Sequence, residues 1–270
     1  MSRRYLTSAA LGELEATLTR RDLKVLHYVA SLRFVSGAQL TRLCFDGMGD
    51  ASAKARAARR ALLRLSRLDV LARLPRRVGG VRAGSAGSVY YLGLAGQRLA
   101  MARDLLPGAP RRRSRLPGTL FVRHTLLVAE LHTRLIEADR TQRFELLELT
   151  AEPSCHRRYD GYGSQPLVLK PDSYVRLAAE DYEYRYFIEI DRGTEGSRAI
   201  ERQLAAYLAY YQSGREQAAH GVFPLVLWLT TSRRRGPAIR ASVERLPVEA
   251  AELFAVQQFD DALPLMLALV

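Results

Sequence analysis

The sequence predicts an α+β protein of two domains, and three observations lead there. The chain is 270 residues long and 48% hydrophobic, enough for two ordinary cores. Its charge is divided unevenly: residues 1–118 hold 23 Lys/Arg against 7 Asp/Glu, a net of +16, and residues 119–270 hold 18 against 21, a net of −3. The element order also changes there, from helices closed by a hairpin to an α-β-β-β-α-β succession, which a mixed sheet flanked by helices accommodates. These boundaries define a domain over 1–106, a basic Pro/Gly linker over 107–118 and a second domain over 119–270.

The first domain opens on Thr19-Arg20-Arg21-Asp22, which has the form of a capping box with Asp in the Glu position. Leu23, Leu26, His27 and Ala30 follow at helical spacing. Ser36 can cap a second helix that turns Leu40, Leu43 and Cys44 inward. Ser52 can cap a third, running to about Leu68 and rich in Ala, Arg and Leu. Two strand-like runs, Val70–Leu74 and Val89–Leu92, flank a segment with four glycines in the eleven residues 78–88, a flexible hairpin tip. Three helices followed by a two-stranded ribbon is the order of a winged helix, a helix-turn-helix variant. A short helix from Ala95 to about Leu105 is expected next.

Arg56, Arg60, Arg64 and Arg67 recur at spacings of four, four and three, so they form one stripe of the third helix, with Lys54 and Arg59 beside it. Ala58, Leu62, Leu65 and Leu68 form the opposing stripe. Such a helix can bury its apolar face and offer the arginines to a DNA groove, while Arg76, Arg77 and Arg82 on the wing bind phosphates or the minor groove. The expected partner is double-stranded DNA. A solvated cationic helix is the simpler alternative.

In the second domain a helix is expected over Leu120–Ala138. Strands follow over Phe144–Leu149, Leu167–Leu177 and Tyr184–Asp191, then a helix over Ser197–Ser213. Val222–Thr230 reads as a buried central strand, Val248–Ala255 as a helix and Leu265–Val270 as a last apolar segment. A hairpin turning near Glu180–Asp181 sets Asp172 opposite Glu189 and Lys170 opposite Asp191, with Glu189 and Asp191 on one face. Clustered carboxylates inside the apolar run Phe187-Ile188-Glu189-Ile190-Asp191 need compensation, by Lys170 and Arg192 or by a divalent cation. Mg²⁺ or Mn²⁺ suits oxygen ligands, and Asp172 and Glu189 are the expected metal ligands, with Glu130 on the preceding helix as a third. An exposed hairpin carrying salt bridges is the alternative.

Other chemistry is excluded by composition. Two cysteines, Cys44 and Cys155, cannot build a disulfide framework or a cysteine-rich zinc site. The five histidines show no metal-binding spacing, and Trp228 is expected in the core. No apolar run is long enough to span a bilayer, and no signal-peptide core follows Met1-Ser2-Arg3-Arg4, so a cytoplasmic location is expected.

Pro171-Asp172, Phe187–Glu195 and Ile200–Tyr207, with Leu18–Asp22 near the N-terminus, resemble the replication-relaxation family of bacterial plasmids and integrative elements, over about residues 15–215. That resemblance implies a DNA-binding protein of a mobile element. Replication or transfer proteins of the same element, or a second copy of the chain, become its expected partners. The second domain also resembles the restriction-endonuclease-like PD-(D/E)-x-K nuclease fold. Asp172 and Glu189 match its acids, and Gln203-x-x-x-Tyr207 resembles the helix motif of one branch. Asp191 stands where that fold carries its lysine. Either Lys170 substitutes, giving a catalytic set of Asp172, Glu189, Lys170 and Gln203, or a degenerate nuclease fold serves binding. An accessory or regulatory DNA-binding protein, an active endonuclease and a dimeric repressor are the three functions compatible with the sequence.

Overall fold

The structure is a computed structural model. It describes residues 7–47, 49–75, 87–106, 118–161, 163–194 and 196–268, with side chains to residue 266. It is a mixed α+β fold that divides into two compact units, residues 1–133 and 134–270. Among the described residues, no helix is long and apolar enough to cross a membrane.

The first unit contains α1 (Ser8–Ala16), α2 (Arg20–Leu32), β1 (Val35–Ser36), α3 (Gly37–Cys44), α4 (Ala51–Arg67), β2 (Leu71–Arg73), β3 (Val89–Leu92) and α5 (Leu94–Ala102). Both expected caps form: Asp22 N–H donates to Thr19 Oγ1 at 3.2 Å, Thr19 N–H donates to Asp22 Oδ2 at 2.8 Å, and Ser36 and Gln39 repeat the arrangement. Such boxes satisfy N–H groups that a helix start leaves open. The third helix begins earlier than expected, because Asp50 rather than Ser52 caps α4, its carboxylate accepting from Ala53 N–H at 2.7 Å. Val25, Leu26, Val29, Leu40, Leu43, Leu62 and Leu65 are buried, so α2, α3 and α4 turn their apolar stripes inward. The sheet has three strands, ordered β1-β3-β2 and antiparallel. The sequence reading missed β1, whose two residues are too few for a periodicity signal, and α1.

Gly96 closes α5 against β2. A Cβ built there would lie 1.9 Å from the Val70 carbonyl oxygen, so only glycine permits the approach. The long α6 (Thr119–Arg140) crosses from one unit to the other. Its Val122 packs with Phe34, Leu74 and Val89 of the first unit.

The second unit continues with β4 (Glu145–Ala151), β5 (Arg157–Asp160), β6 (Pro166–Leu169), β7 (Ser173–Ala179), β8 (Tyr182–Asp191), α7 (Ser197–Gln212), α8 (Arg215–His220), β9 (Leu225–Thr230), α9 (Arg235–Val243), α10 (Val248–Ala251), β10 (Phe254–Gln258) and α11 (Ala262–Ala268). Five strands form one mixed sheet in the order β10-β9-β8-β7-β4. β4, β7 and β8 are antiparallel, and β9 and β10 run parallel to β8.

Two expectations are corrected here. Leu167–Leu177 is not one strand: it breaks at Lys170-Pro171-Asp172, and its first part pairs with β5 in a separate hairpin. Pro171 has no N–H to donate to a ladder. The helix expected over Val248–Ala255 stops at Ala251, and Phe254–Gln258 becomes the edge strand β10. The alternating burial of Phe254, Ala255 and Val256 fits a strand. Tyr174, Phe187, Tyr207, Tyr210, Val226 and Trp228 pack together between the sheet, α7 and α9. Tyr186 to Asp191 are all buried, so β8 is central and covered on both faces.

Candidate functional site

Two clusters matter, one in each unit. In the first, α4 has a buried side formed by Ala58, Leu62 and Leu65. Arg56, Arg59, Arg60 and Arg67 are exposed on the opposite side, spaced by three, one and seven residues. Leu63, 52% exposed, sits in the centre of this basic face. Arg56 donates to Ser52 Oγ, one turn earlier.

Two of the expected cations do not share that face. Lys54 precedes buried Ala58 by four residues and is half-buried on the inward side. Arg64 donates to the Asp22 carboxylate, whose side chain is only 2% exposed, so this arginine ties α4 to the start of α2. A carboxylate that already serves as a cap and is removed from water needs such a cation. Arg76, Arg77 and Arg82 lie outside the described residues.

The second cluster sits where β8 ends and β7 begins. The ladder pairs Ser173 with Ile188 and Ala179 with Tyr182, leaving Glu180 and Asp181 as a two-residue turn. Glu180 has φ +51°, as hairpin turns that follow the strand twist require. The expected register is therefore the observed one. At its end Asp172 N–H donates to the Ile188 carbonyl at 3.0 Å, and Ile190 N–H donates to Asp172 Oδ2 at 2.7 Å. Glu189 is buried and accepts from the Tyr207 hydroxyl at 2.5 Å. Burial, then the neighbouring Glu189 charge, pushes the Tyr207 phenol well above its ordinary pKa, so it remains a donor. Cys155 closes the group from behind, its thiol 3.0 Å from the Pro171 carbonyl. Burial first, then the Asp172 carboxylate, pushes this thiol up. It is therefore no nucleophile at neutral pH.

Asp191 is occupied otherwise than expected. Arg235, at the start of α9, donates Nε to Oδ2 at 3.1 Å and Nη2 to Oδ1 at 3.3 Å. Gly193 N–H at 3.0 Å and the Thr230 hydroxyl at 3.4 Å also donate to Oδ2. Lys170 is exposed and has no hydrogen bond or ion pair among the described residues. The ladder ends before reaching it, because Pro171 breaks the strand. Gln203 is half-buried on α7, one turn before Tyr207, and it too has no hydrogen-bond partner among the described residues. Glu130 lies in the first unit, its two oxygens accepting from Arg42 at 2.7 Å and Gln39 at 3.1 Å.

These residues do not fit a three-acid metal centre. Asp191 spends both oxygens on Arg235, and Asp172 and Glu189 each spend one on a protein donor. Among the described residues no three His, Cys, Asp or Glu side chains are grouped to hold a metal ion. Arg235, Tyr207 and Cys155 were absent from the predicted site. Tyr207 had a signal, its spacing from Gln203, whereas Arg235 is one of three consecutive arginines and lies 44 residues from Asp191.

Compared with known proteins, residues 26–226 match the family described as Replication-relaxation. No curated protein and no solved structure matches the chain.

Proposed function

The chain belongs to the replication-relaxation family, and we propose that it is a DNA-binding accessory or regulatory protein of a mobile genetic element, acting in replication, relaxation or transfer. One observation carries the reading: α4 exposes Arg56, Arg59, Arg60 and Arg67 on the side opposite its buried stripe. The order α2-β1-α3-α4-β2-β3 supports a winged helix, in which this helix enters the major groove. Four phosphate or base contacts from α4 give a salt slope of roughly −4 in log K against log [salt] on duplex DNA.

The second unit is read as a nuclease-like scaffold that binds rather than cuts. The succession α6-β4-β7-β8-α7-β9 in its main sheet keeps the α-β-β-β-α-β order on which the resemblance rests, and the acid in the lysine position is neutralised by Arg235. A homodimer placing two copies of α4 about one helical turn of DNA apart would read a palindromic site.

Binding of a fluorescent duplex by the full chain tests the reading. The Arg56→Ala/Arg60→Ala protein should bind more weakly, with a slope shallower by about 2. Unchanged affinity and slope would remove α4 from the interface. Incubating plasmid DNA with protein and Mg²⁺ or Mn²⁺ decides the second unit. Nicking that Asp172→Ala and Glu189→Ala abolish would establish the endonuclease reading instead.

A further inference from the structure

The second unit is acidic in sum, and of its exposed cations whose side chains have no hydrogen bond or ion pair among the described residues, Arg143 and Arg158 lie apart while five others gather at one place. Several of its arginines are matched to acids: Arg157 to Glu216, Arg176 and Arg185 to Glu183, Arg215 to Asp160 and Arg245 to Glu201. Lys170, Arg198, Arg202, Arg233 and Arg234 are exposed and have no hydrogen bond or ion pair among the described residues.

All five lie at one end of the five-stranded sheet, along the edge where β8 and β9 finish and β7 begins. β8 and β9 are parallel and end together, Asp191 opposite Thr230. Arg198 and Arg202 lie in the first two turns of α7, which follows β8. They are four residues apart and therefore stacked on one side of that helix. Ile200, Leu204 and Tyr207 form its buried side. Arg233 and Arg234 occupy the turn between β9 and α9. Lys170 precedes β7, which starts where β8 ends.

Three acids near this edge are turned inward or matched. Asp191 is held by Arg235, Glu201 accepts from Arg245 at 3.2 Å, and Glu189 is buried against Tyr207. The Asp191–Arg235 pair has a second consequence: it fixes the residue that follows Arg233 and Arg234, so their turn is anchored to the end of β8. Cations spread over three chain segments suit a repeating polyanion better than one small phosphate.

We infer that this edge is a second phosphate-binding surface, separate from α4, which takes the sugar-phosphate backbone of DNA on Arg233, Arg234, Arg198, Arg202 and Lys170. It carries no sequence information. Its effect is to raise affinity uniformly and to hold the second unit on the duplex that the first unit has found. Joined to α4 by one chain, it also raises the effective concentration of each site for the other.

The test is the salt dependence of duplex binding by the full chain, with three double variants: Arg233→Ala/Arg234→Ala, Arg198→Ala/Arg202→Ala and Arg56→Ala/Arg60→Ala. Each edge variant should make the slope shallower by about 2 and weaken binding equally on unrelated duplexes. Arg233→Lys/Arg234→Lys should keep the wild-type slope, because the charge is retained. Thermal unfolding at the wild-type temperature will show that these exposed changes leave the fold intact. Wild-type slope and affinity in both edge variants would overturn the inference, whatever the α4 variant does. A loss confined to the edge variants would sustain it and sink the α4 reading. No binding of any duplex by wild type would overturn both and point to an acidic protein partner.

Discussion

Replacing Arg235 with alanine removes both hydrogen bonds that Asp191 receives from α9. The carboxylate stays where it is, because β8 is central in its sheet. The Asp191 side chain is 3% exposed and that of Arg235 is 17% exposed. Gly193 N–H at 3.0 Å and the Thr230 hydroxyl at 3.4 Å still donate, so the charge is under-solvated but not bare. Breaking a buried ion pair from one side costs about 3–5 kcal/mol, and the two surviving donors place this case near 3. For a chain of this size that lowers the unfolding temperature by about 6–12 °C. Calorimetry of Arg235→Ala, Asp191→Asn and the double variant provides the assay. The double variant buries no unpaired charge, so it should be more stable than the sum of the single losses implies, by about 2 kcal/mol. An Arg235→Ala protein within about 0.5 kcal/mol of wild type, or strict additivity in the double variant, would refute the assigned pairing.

Three further outcomes follow from particular contacts. Tyr207→Phe takes one donor from buried Glu189 and should cost about 1.5–3 kcal/mol in chemical denaturation; a neutral result would show that this hydrogen bond is replaced by another. Gly96→Ala puts a methyl group into the Val70 carbonyl, so it should destabilise the first unit by more than 1 kcal/mol although alanine is the better helix former; stabilisation on heating would disprove the close approach. Burial pushes the His132 imidazole down from 6.5 to about 3, so between those values the unfolded chain binds a proton that the folded chain does not. Stability should therefore fall as pH drops through that window, with about 2 kcal/mol lost from this group between pH 7 and pH 5. His132→Gln should lose correspondingly less over the same interval, and an identical pH profile would contradict the burial.

The legible parts of the fold were those fixed by local chemistry. The capping boxes at Thr19 and Ser36 announce α2 and α3 because Ser, Thr, Asp and Gln side chains act within four residues. The β7–β8 register could be read because a two-residue turn at Glu180–Asp181 fixes which residues of the two strands face each other. The same register brings the segment of Asp172 beside the end of β8, where its carboxylate accepts from Ile190 N–H. What escaped depends on distant contacts. β5 is the polar string Arg157-Arg158-Tyr159-Asp160 and becomes a strand only through its pairing with β6. Arg64 belongs to the basic stripe by spacing alone, and only the fold brings Asp22 beneath it. Lys170 satisfies the arithmetic of the hairpin, but Pro171 ends the ladder first, and Asp191 takes its cation from α9. The basic face of α4 survives this revision in a narrower form, with Arg56, Arg59, Arg60 and Arg67 rather than the full run.

The claim that α4 meets DNA is tested most directly at Leu63, which is 52% exposed in the centre of that face. A photo-reactive phenylalanine derivative at position 63 should cross-link the full chain to a labelled duplex on irradiation, and excess salt should suppress the product. The same group at Val248, 73% exposed and outside both basic surfaces, supplies the comparison. A strong, salt-sensitive adduct is expected from position 63 and little from position 248. Equal yields from the two positions, or none from position 63 under conditions where the duplex is bound, would contradict it.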